Sequence, residues 1–118
     1  MVWSPRGLRQ IIAPKKSKKE VVALVSGNYH LVEEADAASF SDLPQRLSRY
    51  LAGEVVGFPD KMDLKGATTF QRRVWRIAQS IPYGETRSYG WVSVQLGYDG
   101  KAARPVGQAL GKNPLLII

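Results

Sequence analysis

Between residues 64 and 118 the chain sets eight lysines and arginines (Lys65, Arg72, Arg73, Arg76, Arg87, Lys101, Arg104, Lys112) against two acids, Glu85 and Asp99, a net of +6. Residues 1–63 are nearly balanced, with nine basic side chains against eight acidic ones. A field segregated in this way attracts a polyanion, because clustered cations neutralise phosphates and release counterions. The same charges also suit a solvated surface that only keeps the chain soluble. Single residues do not decide between the two. Tyr89 alone reads as a ring packed beneath its helix, Arg104 as a solvated cation, and Asn113-Pro114 as an ordinary turn pair.

Other chemistry is closed to these 118 residues. They contain no cysteine, which removes disulfides, thiolate zinc sites and a sulfur nucleophile. His30 is the one histidine and reads as structural; no metal or cofactor is expected. No apolar run approaches the roughly 20 residues of a membrane span, so a cytoplasmic protein is expected.

The elements that must position the basic residues follow from turn and periodicity signals. Val2–Ser4, the turn Pro5-Arg6-Gly7 and Leu8–Ile12 read as strand, turn, strand. Lys15–Lys19 is a charged loop. Ser17 and Glu20 have capping-box spacing, and Val21, Val22, Leu24 and Val25 follow as a short buried face ending at Gly27. Tyr29–Val32 is a candidate short strand. Ser41 or Asp42 can cap a helix through Leu43, Leu47 and Leu51 with Gly53 as its stop, and Val55–Phe58 reads as a strand before the Pro59-Asp60 turn.

Thr68 and Gln71 form a second capping box. Phe70, Val74, Ile77 and Ile81 then recur as one stripe of a helix that ends before Pro82, with Trp75 and Ala78 widening it. Pro82-Tyr83-Gly84 is a tight turn. Ser88 can cap a short helix from Tyr89 to Leu96, stopped by Gly97, and a second short helix follows the Tyr98-Asp99-Gly100 turn and runs to about Leu110. Two short helices joined by a glycine-rich turn in a basic segment outline a helix-turn-helix. Pro105 costs a helix interior about 3 kcal/mol, so the second helix is expected to begin near Ala102–Arg104, with Pro105 in its first turn. Leu115–Ile118 is an apolar run with nothing polar after it, so the chain reads as unfinished.

The ordered string Phe70-Gln71, Val74-Trp75, Ile81-Pro82-Tyr83-Gly84-Glu85-Thr86, Ser88-Tyr89-Gly90, Lys101-Ala102-Ala103-Arg104, Val106-Gly107, Asn113-Pro114, Ile117-Ile118 resembles the alkylguanine-DNA alkyltransferases, the methylated-DNA–protein-cysteine methyltransferases of direct repair. Residues 1–69, with Tyr50 and Gly53-Glu54, look like the family's N-terminal domain with a late start. The resemblance implies an α+β protein: a small N-terminal antiparallel-sheet-plus-helix domain over 1–63, then an all-α helix-turn-helix DNA-binding domain over 64–118. It implies binding of double-stranded DNA in the minor groove and rotation of an alkylated guanine out of the stack. Arg104 matches the arginine that replaces the departed base, and Tyr89 the tyrosine that crowds the adjacent phosphate. Ser88, Arg87, Lys101, Ala102 and Gly107 fall in the implied DNA contact, and Asn113 with Pro114 in the hinge beside the active-site turn.

Two departures matter. The family continues after this apolar segment with Pro-Cys-His-Arg, whose cysteine accepts the alkyl group. This chain is therefore expected to be truncated and inactive alone, to be complemented by a C-terminal fragment or to associate with itself through Leu115–Ile118. Pro105 stands where the family has alanine. Two other readings remain: a non-enzymatic lesion sensor of the alkyltransferase-like kind, and a helix-turn-helix regulator that reads the major groove.

Overall fold

The structure, a computed structural model, describes residues 1–13, 17–28 and 42–115. Tyr29–Val32, His30, Lys15, Lys16 and residues 116–118 of the apolar run lie outside them. The described residues contain a two-stranded antiparallel sheet and five helices, an α+β fold. They fall into two compact units, Met1–Asp63 and Leu64–Ile118.

In the first unit β1 (Val2–Ser4) pairs with β2 (Gly7–Gln10), matching Trp3 with Leu8 and Ser4 with Gly7. The second strand stops at Gln10, two residues short of the expected Ile12. Gly7 holds a φ of +135°, and a methyl group there would meet the Lys61 carbonyl oxygen at 2.1 Å. Only glycine lets the hairpin approach so closely, and Leu8 N–H then donates to Lys61 O at 2.8 Å. Asp63, 5% exposed, gathers the Ser4 hydroxyl (2.7 Å), Arg9 Nη1 (2.9 Å) and Arg6 Nε (3.3 Å).

The first helix, α1 (Lys18–Asn28), starts where expected, with Ser17 Oγ accepting from Glu20 N–H at 3.3 Å. Its apolar residues do not all form a buried face. Val25 is buried, whereas Val22 and Leu24 are exposed. Next, α2 (Leu43–Leu51) buries Leu43. Asp42 is its N-cap residue but caps nothing with its side chain, because Oδ1 accepts from Arg46 Nε at 3.0 Å instead. Arg46 also grips Asp60 through two bonds of 2.7 and 2.8 Å and lies over the Phe58 ring.

The expected strand at Val55–Phe58 is absent. Val55 is 80% exposed and Phe58 packs edge-on against Tyr50. Among the described residues no strand pairs with this run, so it has no ladder to join there. The bridge to the hairpin is made later, by Met62 beside Leu8.

The second unit is three helices around one core. In α3 (Thr69–Gln79) both halves of the Thr68/Gln71 capping box are formed, at 3.2 and 2.8 Å. Ser88 caps α4 (Tyr89–Gln95) by accepting from Trp91 N–H at 3.1 Å. A turn with left-handed Asp99 (φ 46°) and Gly100 (φ 78°) leads to α5 (Ala103–Gly111). The late start of α5 leaves Pro105 in the first turn, where a missing N–H breaks no helical bond. Val74, Trp75, Val92, Leu96, Val106 and Ala109 form the core, with Phe70, Ile77 and Trp91 partly buried against it.

Candidate nucleic-acid interface

The helix-turn-helix is fixed by a few polar ties through an otherwise apolar core. Trp75 Nε1 donates to Ala109 O at 2.8 Å and locks α3 against the end of α5. Arg73 Nη2 donates to Leu96 O at 3.1 Å, covering the end of α4. Ser93, fully buried in α4, accepts from Ala102 N–H at 2.9 Å. That last bond sets where α5 begins, since Ala102 is its N-cap residue and has no capping side chain. Sequence reasoning missed Ser93. Its one signal is a hydroxyl beside Val92 on the side of α4 that also carries Leu96.

Tyr89 is the first residue of α4 and is 54% exposed, so it does not pack beneath its helix. Its ring crosses to α5 and lies on Gly107. Arg104 sits in the first turn of α5, exposed, with no hydrogen bond or ion pair to any described residue. Residues 104 and 107 are three apart on a helix and therefore neighbours on one face. Tyr89, Gly107 and Arg104 are thus brought together. Lys101 and Ala102 stand immediately before them, Lys101 exposed and Ala102 half-buried.

Arg87 is placed differently. Its Nη2 pairs with Glu85, its Nη1 donates to Thr86 O at 2.9 Å, and its guanidinium lies 5.5 Å from the Trp91 ring centre. Glu85 and Trp91 hold it along the turn before α4. Asn113 and Pro114 lie at the opposite end of α5 from Arg104. There Asn113 Oδ1 accepts from Leu115 N–H at 2.9 Å, tying the helix end to a leucine that is 1% exposed.

No group of three or more potential metal ligands occurs among the described residues, and none of their helices is long and apolar enough to cross a membrane.

Comparison with known proteins follows the same residues. The profile of the 6-O-methylguanine DNA methyltransferase DNA-binding domain matches residues 69–118. A methylated-DNA–protein-cysteine methyltransferase of Mycolicibacterium paratuberculosis is 51% identical over 80 residues, which cover 68% of this chain and 47% of the relative. The protein of the same name from Methanosarcina acetivorans is 43% identical over 79 residues, 67% of this chain and 49% of its own. Among solved structures, Mycobacterium tuberculosis OGT in complex with DNA is similar with a TM-score of 0.61 at 51% identity, covering 67% of this chain and 48% of that one. The O6-methylguanine methyltransferase of the same organism gives 0.64 at 44% identity, over 76% and 52%. The chain spans about half the length of the curated relatives it matches. With the ordered motifs, the three-helix unit and these likenesses agreeing, the chain belongs to the methylated-DNA–protein-cysteine methyltransferase family, through the DNA-binding domain that residues 69–118 match.

Proposed function

We propose that residues 64–118 bind duplex DNA and extrude an alkylated guanine, as the DNA-engaging part of a cytoplasmic direct-repair protein. One observation carries this reading: the exposed Tyr89 ring of α4 lies on Gly107 of α5, one turn from the exposed Arg104, in a unit of net charge +6. A guanidinium in the first turn of α5 is planar and unpaired, so it can enter the vacated space, stack on the neighbouring bases and donate hydrogen bonds to the orphaned partner. The Tyr89 ring is rigid with a polar tip, suited to crowding a phosphate. Lys101 adds sequence-independent attraction, and the Ser88 hydroxyl, which accepts from Trp91 N–H, keeps its own proton to donate.

Arg87 keeps its place in this reading: its guanidinium is held by Glu85, Thr86 O and Trp91, so it shapes the turn ahead of Tyr89, and its remaining N–H groups are left for phosphate. Asn113 and Pro114 act as a hinge by fixing the chain after α5. Transfer of an alkyl group to sulfur needs a thiolate in contact with the alkyl carbon, and none of these 118 residues is a cysteine. The chain by itself therefore recognises and exposes the lesion and does not accept the alkyl group.

The test uses duplexes carrying O6-methylguanine next to 2-aminopurine, whose fluorescence rises when stacking is lost. Arg104→Ala is expected to lower that signal about tenfold while changing affinity for undamaged duplex by no more than about threefold. Equal losses on damaged and undamaged DNA would remove Arg104 from the extrusion step.

A further inference from the structure

A glycine in the middle of a helix is unfavourable, because it has more conformational freedom to lose than alanine and contributes no side chain. The nine-residue α5 carries two, Gly107 and Gly111. Gly111 ends the helix and has open space around it, with nothing within 4 Å of a built methyl group. Gly107 does not. A methyl group on its Cα would stand 2.9 Å from Tyr89 Cε2, 3.1 Å from Cδ2 and 3.7 Å from Cζ. Real side-chain carbons do not tolerate the first of these distances, so any other residue here displaces the ring. Because the ring is 54% exposed, it can swing outward without breaking the core.

From this contact we infer that Gly107 is a positioning residue that seats the Tyr89 ring against α5, one turn from Arg104, before DNA arrives. The ring crosses from one helix to the other, so the seat fixes its distance from the arginine. Tyr89 is the first residue of its helix and is held at its base by the Ser88 cap, so without the seat the ring is restrained only at its Cβ end. The tyrosine is thereby pre-organised, and the entropy of ordering it falls on folding rather than on binding. The inference rests on the extrusion reading above for its purpose, and on the free chain for its geometry.

Both parts are tested with the full chain and the variants Gly107→Ala, Tyr89→Ala and the double variant. In the free chain the Gly107 α-proton resonances should move in Tyr89→Ala, and the Tyr89 ring resonances should move in Gly107→Ala. Unmoved resonances overturn the seat. Gly107→Ala should melt no lower than the parent chain, since alanine favours the helix and the ring can leave. Should Gly107→Ala melt lower, adding Tyr89→Ala should restore the melting temperature, because the ring is gone, and a loss that persists in the double variant overturns the seat. On the 2-aminopurine duplex, at concentrations that saturate each variant with DNA, Gly107→Ala should lower the signal about fivefold and should add nothing in the Tyr89→Ala background. An undiminished signal overturns the positioning role. So does an equal loss in the Tyr89→Ala background, which would mean that the methyl group collides with DNA itself. If the parent chain gives no fluorescence rise at all, the extrusion reading fails, while the resonances still decide the seat.

Discussion

At the scale of single residues, burial decides which polar groups hold the fold and which are left to act. Ser93 is enclosed completely, and its hydroxyl is the partner of the Ala102 N–H at the head of α5. Removing it leaves a buried donor without its acceptor, so Ser93→Ala should cost about 1–2 kcal/mol. Denaturant unfolding followed by Trp75 and Trp91 fluorescence measures this, and a loss indistinguishable from zero would mean that water replaces the hydroxyl. Neither Ser93 nor the Glu85–Arg87–Trp91 cluster was legible in the sequence. Both depend on which neighbour a side chain meets after the turn closes, and residue type does not encode that.

At the scale of elements, local signals succeeded where the chain supplies its own partners. The Thr68/Gln71 box, the Ser88 cap and the late start at Pro105 concern bonds within four residues, so spacing suffices. The strand expected at Val55–Phe58 needed a partner from elsewhere and has none among the described residues; Phe58 went to Tyr50 and Arg46 instead. That arrangement makes α2 sensitive to acid. Hydrogen bonds from Arg46 hold the Asp60 carboxyl below its ordinary value of 3.8, against the opposing effect of burial, and the same bonds push the Arg46 guanidinium higher still. A carboxyl depressed in the folded state adds stability that is whole above pH of about 4 and drains as pH falls through the unfolded value towards the folded one. Melting temperature followed from pH 7 to pH 2 should therefore drop less steeply at its acid end in Asp60→Asn than in the parent chain. Parallel acid limbs would show that Asp60 titrates alike folded and unfolded.

For the whole molecule, charge segregation is the property that matters. The second unit carries +6 while residues 1–63 carry +1, so DNA binding should be governed by phosphate neutralisation in that unit. With about 3–5 phosphate contacts, log K should fall against log salt with a slope of about −3 to −4. A slope near zero in a titration from 50 to 300 mM salt would remove the electrostatic basis of the interface.

The sequence by itself determined the Ser17, Thr68 and Ser88 caps, the Phe70, Val74 and Ile77 stripe of α3 (though not Ile81, which lies past the helix end at Gln79), the two short helices with the turn between them, the basic surplus and the family likeness. All of these are local patterns or sums over residues, and they do not depend on how distant segments meet. The tertiary structure alone decided that Tyr89 lies outside its helix on Gly107 rather than beneath α4, that Arg104 stands exposed one turn from that glycine, and that Arg87 is held by Glu85 and Trp91. The reason is geometric. A side chain at the start of one helix can touch the middle of the next only after the core of Val74, Trp75, Val92 and Val106 has set the distance between them.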